Sequence, residues 1–287
     1  MSDATAVTPG RSPGDGDGDL TITALYTSAA WAWTGLRWAE LFDTREGRAV
    51  FSVTNAVLWL AGWLSAGAPS LRHSLAQRHR MIDHLVRSAG GARFVELAAG
   101  LSRRGAAFTD DPAVSYVEVD LPGVIARKEA LLARTEPGRE VARRPGLRRI
   151  AADVREVDLD AFAGGSPPTC VIAEGLLMYL DAAAQRTLWA RIAAAVAPGG
   201  TLVFDLVPGP EEPGPSAIGR LLGALMARFT GGRGFVRDDR GRDAIRAEVL
   251  AAGFGAVDLF EPRDLAEAAQ LPHLDRPTRV VVFRCRR

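Results

Sequence analysis

Arg93-Phe-Val-Glu-Leu-Ala-Ala-Gly-Leu-Ser-Arg-Arg-Gly105, followed by Ser115-Tyr-Val-Glu-Val-Asp120, is the stretch that decides the fold. Its first part is a short apolar run, Phe94, Val95 and Leu97, that carries an acid at Glu96 and breaks at Ala98, Ala99 and Gly100. Such a run bounded by small residues reads as a strand passing into a turn. Small residues there let the backbone approach a ligand closely. The second run ends on Asp120. Open α/β sheets bind ligands just outside the carboxyl ends of their strands, and a carboxylate at that place suits a ribose diol. Taken alone, Glu96 also reads as a surface acid and Gly100 as an ordinary turn residue.

Downstream the same pattern returns twice. Residues 147–152 read as a third strand closing on Asp153-Val154, and 169–173 as a fourth closing on Glu174. An acid and a neighbouring backbone amide at Asp153 and Val154 suit the donor and acceptor edge of adenine, with Val154 against its face. The plain alternative is that Asp153 caps the following turn. Glu174 suits the charged end of a cationic ligand, because a carboxylate near a sulfonium or ammonium group is favourable in a partly buried site.

The remainder completes an α/β pattern. A helix is predicted over 181–196, a strand over 201–206, an apolar helix over 217–229, a link at 231–234, a helix over 239–252, and strands over 256–260 and 278–284. The fold expected is a seven-stranded, mostly parallel sheet with helices on both faces. Gly100 and Gly105 do not make a dinucleotide fingerprint, and no Gly-x-x-x-x-Gly-Lys-Ser/Thr phosphate loop occurs. Residues 1–19, rich in Asp, Gly, Ser, Thr and Pro, read as a disordered tail without the basic and apolar regions of a signal peptide. Residues 20–90 carry apolar faces at helical spacing and form a helical cap before a ligand-binding core over 91–287. Trp31, Trp33, Trp38, Trp59 and Trp63 either pack this cap, serve a homodimer contact or line an acceptor pocket. The most apolar stretch, 56–68, is shorter than the ~20 residues a membrane span requires.

Composition narrows the function. The 287 residues are 47% hydrophobic and 24% charged, with a formal net charge of +1, which suits a sizeable core and gives no clustered basic face for nucleic acid. Cys170 and Cys285 lie far apart and suggest neither a disulfide nor a metal site, so a cytoplasmic, reducing location is expected.

With these residues in view, the chain resembles the leucine carboxyl methyltransferase family of class I (Rossmann-like) S-adenosyl-L-methionine-dependent methyltransferases, in particular its bacterial branch of tetracenomycin-type polyketide O-methyltransferases. The matching pieces are Gln77-Arg-His-Arg-Met-Ile-Asp83, Val95 to Gly105, Tyr116-Val-Glu-Val-Asp-Leu-Pro122 with Lys128, Ala152-Asp-Val154, and Ala173-Glu-Gly-Leu-Leu-Met-Tyr-Leu180. The resemblance implies that S-adenosyl-L-methionine is the cofactor. It further implies that Arg78 meets the methionyl carboxylate, in preference to Arg80 or Arg72. Glu96 and Gly100 then lie at the first loop, Asp120 with Leu121 at the ribose, Asp153 and Val154 at the adenine, and Glu174 near the methionyl moiety. Ser102 and Arg103 depart from the family pattern, which often has Asp and Pro there.

The reaction expected is O-methylation of a small-molecule acceptor. A carboxylate is preferred, because with a pKa near ~4 it is ionised at neutral pH without a base, whereas a phenol near ~10 is not. A phenolic or enolic hydroxyl is the second choice. Neither His73, His79, His84 nor His273 sits in a recognisable catalytic motif, and Tyr179 is an orienting hydroxyl or a packing residue. The alternatives are a protein C-terminal carboxyl methyltransferase and a non-catalytic cofactor-binding scaffold.

Overall fold

The computed structural model describes residues 17–62, 70–163, 165–209, 236, 238–276 and 278–287. In chain order the helices are α1 (Asp17–Trp33), α2 (Arg45–Gly62), α3 (Leu71–Ser88), α4 (Arg104–Phe108), α5 (Pro122–Leu132), α6 (Glu136–Ala142), α7 (Asp160–Ala163), α8 (Ala182–Ala195) and α9 (Arg242–Ala251). The strands are β1 (Arg93–Leu97), β2 (Ser115–Asp120), β3 (Leu147–Ala151), β4 (Thr169–Ala173), β5 (Thr201–Asp205), β6 (Ala256–Phe260) and β7 (Val282–Arg286). The tail expected to be disordered over 1–19 is helical at 17–19, where α1 begins, while residues 1–16, Trp63, the helix predicted over 217–229 and the link at 231–234 lie outside the described residues.

The strands form one sheet in the order β3-β2-β1-β4-β5-β7-β6, with β7 antiparallel to both its neighbours and the other pairs parallel. Alternation along β1 and β2 sends Val95, Leu97, Val117 and Val119 into a core completed by Leu188, Trp189 and Ile192 of α8 and by Ile245 and Val249 of α9. The opposite face takes Phe94 and Tyr116 under Met81, Ile82, Leu85 and Val86 of α3 and Leu131 and Leu132 of α5. Both faces are thus covered, as parallel sheets require.

Glu96 and Glu118 face each other across β1 and β2 in register. Two adjacent buried carboxylates repel, so each has acquired a cation, Arg104 for Glu96 at 2.8 Å and Lys128 for Glu118 at 2.7 Å. Gly105 leaves room for the second: a Cβ built there would lie 2.3 Å from Glu118 Oε1.

Two element starts differ from the sequence reading by three residues or more. The last strand starts at Val282 rather than 278, because Thr278 Oγ1 donates to Gln77 Oε1 at 2.6 Å and the Arg279 amide to Ser74 Oγ at 3.3 Å, which ties this segment to α3 first. The helix predicted from 239 starts at Arg242, since Asp238 Oδ1 accepts from the Arg240 amide at 3.0 Å and holds a turn ahead of it. No helix among the described residues is long and apolar enough to cross a membrane.

The N-terminal helices pack as a layer beside the carboxyl edge. Trp31 is 5% exposed, with its ring 4.4 Å from that of His79, and Trp38 Nε1 donates to Asp110 at 2.9 Å. Trp33 and Trp59 remain 42% and 65% exposed, so the tryptophans do not share one role.

Candidate functional site

The loop after β1 turns on left-handed backbone at Ala98 (φ 53°) and Gly100 (φ 51°). Glycine takes this conformation freely, but a residue with a Cβ does so at a cost of ~1–3 kcal/mol, a kind of strain that gathers at ligand sites. Asp120 fixes the loop from β2. Its Oδ2 accepts from the Gly100 amide at 2.6 Å, and its Oδ1 accepts from the Leu121 amide at 2.7 Å. An ionised carboxylate has about four acceptor positions, so each oxygen keeps one for a ligand hydroxyl. Burial pushes the Asp120 carboxyl above its ordinary range, against the pull of the two amides.

At the end of β4, Glu174 is held by three side chains. Oε1 accepts from Arg78 Nε at 2.9 Å, while Oε2 lies 2.5 Å from Arg104 Nη2 and 2.9 Å from His79 Nδ1. Arg78 reaches on to Asp205, at the end of β5, through Nη1 at 3.0 Å. Its Nη2 makes no hydrogen bond to any described residue, and the side chain is 12% exposed. Asp205 Oδ1 also accepts from the Gly175 amide at 2.6 Å.

Beneath this edge the network continues into the core. Arg104, on α4, is fully buried and also donates to Asp83 Oδ1 at 2.6 Å, while Arg103 pairs with the other oxygen of Asp83. Glu96 belongs here rather than at the loop surface: it is 2% exposed, and Oε2 accepts from Tyr116 Oη at 2.9 Å. Despite the cost of burial, the surrounding cations, Arg104 first, hold Glu174 well below the usual carboxylate range. Burial, with Arg104 alongside, lowers His79 against the pull of Asp83 and Glu174.

Three buried guanidiniums, Arg78, Arg103 and Arg104, thus face four buried carboxylates, Asp83, Glu96, Glu174 and Asp205. The balance is negative at the edge, where burial pushes Asp205 up, with Arg78 opposing and the charge of Glu174 adding to the shift. A cationic group arriving there offsets the deficit.

The other expected residues are placed as follows. Asp153 closes a turn, accepting from the Arg155 amide at 2.9 Å and pairing with the Arg155 guanidinium at 2.5 Å. Val154, beside it, is 9% exposed and belongs to the core that also holds Val119. Tyr179 is half-buried, with its hydroxyl 3.5 Å from Thr23 of α1, and burial raises it above the usual phenol range. Arg80 projects elsewhere on α3, bordering a cavity with Trp33 and His273. Arg104, Asp83 and Asp205 went unnoticed in the sequence. Only Asp205 had a signal there, an acid ending a strand, which is the rule that selected Asp120.

The sheet order, the reversed β7 and the acid closing β2 define a class I methyltransferase fold. A solved methyltransferase-like structure from Thermobifida fusca, described as a "putative methyltransferase", superposes with a TM-score of 0.57 at 21% identity, covering 96% of this chain and 97% of that one. One from Nostoc punctiforme, described as a "putative O-methyltransferase", gives 0.52 at 15% identity over 93% and 72%. At such identities the likeness is one of fold.

The family model described as leucine carboxyl methyltransferase matches residues 38–193, more than half of the chain. A Mycobacterium marinum protein named "Putative S-adenosyl-L-methionine-dependent methyltransferase" is 31% identical over 230 residues, 75% of this chain and 72% of its own length. A Parafrankia protein carrying the same description is 30% identical over 205 residues, 69% of this chain and 66% of its own length, just under two thirds. The chain belongs to the leucine carboxyl methyltransferase family of S-adenosyl-L-methionine-dependent methyltransferases.

The residues present fit that cofactor. Asp120 offers two acceptor positions where a ribose diol would lie, Arg78 keeps one nitrogen for a carboxylate, and the edge is short of positive charge.

Proposed function

We propose that this chain is an O-methyltransferase that uses S-adenosyl-L-methionine to methylate a small-molecule acceptor, a carboxylate by preference and a phenolic or enolic hydroxyl second, in polyketide or other specialised metabolism. The observation that carries the reading is Asp120, buried at the carboxyl edge and tied to the Gly100 loop while keeping acceptor capacity on both oxygens. The tetracenomycin-type motifs noted in the sequence support the specialised-metabolism part.

The bound cofactor would supply an electrophilic methyl group on a sulfonium. The protein's part is placement. Asp120 and Leu121 would orient the ribose, Asp153 and Val154 the adenine, Arg78 the methionyl carboxylate, and Glu174 with Asp205 the field at the cationic end. Holding two reactants at attack distance contributes as much as ~7–11 kcal/mol.

Three of the titratable groups at this edge favour an acceptor that is already ionised, while Asp205 and Asp120, with raised values, are tied to Arg78 and to backbone amides. Glu174 is held deprotonated by cations and its pKa is far too low for an effective base at neutral pH, His79 is buried against Arg104 and Glu174, and Tyr179 has its pKa raised. A carboxylate needs no proton removed.

Titration calorimetry with S-adenosyl-L-methionine and S-adenosylhomocysteine tests the site. Saturable binding is expected in the natural protein, with at least a tenfold loss in Asp120→Ala. Unchanged binding in that variant would remove the site assignment. Incubation with carboxylate and phenol panels, read by mass for the gain of one methyl group, then tests the acceptor preference.

A further inference from the structure

Arg80 lies two residues after Arg78 on α3, roughly 200° around the helix, and so leaves the cofactor edge for a different surface. There it lines a cavity of ≈ 200 Å³ with Trp33, Thr34, Pro272 and His273. Among the described residues Arg80 forms no ion pair, and its Nε is buried without a hydrogen-bond partner. An unpaired buried donor on a charged group is costly. Nε itself has no accessible surface, but the same guanidinium borders the cavity, so its terminal nitrogens are open there to an acceptor from outside.

The walls say what kind. The Trp33 ring stacks on that of His273, with centroids 5.7 Å apart and planes 15° apart, and the Arg72 guanidinium covers Trp33 at 5.1 Å. Behind His273, at 4.4 Å between rings, His73 is 6% exposed with Nδ1 unpartnered. Burial first, then the neighbouring His273, Arg72 and Arg276, push His73 down to about 4, with Asp275 opposing. Arg276 is paired with Asp275 at 3.4 Å, which leaves Arg72 and Arg80 to make the field positive beside an aromatic wall. His273 takes left-handed backbone (φ 57°), and Gln77 Nε2 donates to the carbonyls of Pro272 at 2.9 Å and His273 at 3.1 Å, fixing the wall in place. The volume is below the ~300–1,000 Å³ of drug-sized ligand sites, so one ring fits and a polycycle or nucleotide does not.

We infer that this cavity binds a small planar organic carboxylate, with the carboxylate on the Arg80 guanidinium and the ring against Trp33 and His273. The site is distinct from the cofactor edge and does not depend on the methyl-transfer reading. A guanidinium suits a carboxylate because its fork matches two oxygens, and it also stacks on aromatic faces.

The test is titration of the full chain with benzoate, acetate and inorganic phosphate, without cofactor. Saturable benzoate binding is expected, with acetate and phosphate each at least tenfold weaker. Arg80→Gln is expected to lose at least tenfold in benzoate affinity and Trp33→Ala several-fold, while both retain the natural circular dichroism and S-adenosylhomocysteine binding. Benzoate should also shift the indole N–H resonance assigned to Trp33, which keeps the test open should a variant fail to fold. Absence of saturable benzoate binding, phosphate binding as tight as benzoate, or full affinity in a folded Arg80→Gln protein would overturn the assignment.

Discussion

At Asp120 one carboxylate serves both the fold and the ligand. Two of its acceptor positions hold the Gly100 and Leu121 amides, and the remaining ones face the edge. Asp120→Asn keeps one carbonyl oxygen but turns the other group into a donor facing an amide N–H, so it should lose cofactor affinity nearly as fully as Asp120→Ala. Calorimetry on the two variants checks this, and an affinity close to that of the natural protein in either would count against the role. Arg104 is a different kind of residue, wholly internal. Its truncation leaves Asp83, Glu96 and Glu174 facing one another without their shared cation. Breaking a buried pair in this way costs ~3–5 kcal/mol. Urea unfolding of Arg104→Ala should show a loss of that size. Asp120 was legible in the sequence because its position is defined locally, at the end of an apolar run. Arg104 was not, because its acids lie as far away as Glu174, 70 residues along the chain, and an arginine in sequence reads as a solvated charge.

Among the elements, α3 joins two sites. Arg78 and His79 face the strand ends, and His73 and Arg80 face the 272–273 segment. Its sequence showed the basic residues but not their division, which depends on what packs against each side. The helix also makes stability depend on pH. An unfolded histidine titrates near ~6.5, whereas folded His73 is held at about 4 and His79 is also held low. As pH falls through 6.5 the unfolded chain gains protons that the folded one refuses, so the stability present above that pH drains away toward the folded values. Glu174, with its depressed value, extends the loss below the unfolded carboxylate range, while Glu118, Asp120 and Asp205, with raised values, oppose it. The histidine part is separable. The natural protein should lose more stability between pH 7 and pH 5 than His73→Asn does, and urea midpoints at the two pH values measure the difference. Equal losses would show that His73 does not contribute. The sheet itself was legible strand by strand, and β7 shifted only because contacts with α3 take hold of Thr278 and Arg279, partners about 200 residues away.

Across the whole molecule, α1 closes over the edge that the strands build. A Cβ on Gly100 would lie 3.8 Å from that of Ala24, and Tyr179 reaches Thr23. A cofactor seated on the Gly100 loop would then lie beside this helix. Hydrogen exchange across Asp17–Trp33 should slow on addition of S-adenosylhomocysteine, and exchange that is unchanged at saturation would place the ligand away from α1. The amphipathic spacing over 20–90 predicts a helical cap, but that spacing cannot say which residues of the cap, such as Thr23 and Ala24, come to lie at the edge. The Arg104 cluster has another reach across the molecule. It ties α3, α4, β1 and the end of β4 through charges that depend on one another. A substitution at one member therefore changes what its partners can tolerate, so the cluster can drift only through linked replacements. Its history would be one of paired changes, and a designer who alters the strand ends inherits the same coupling.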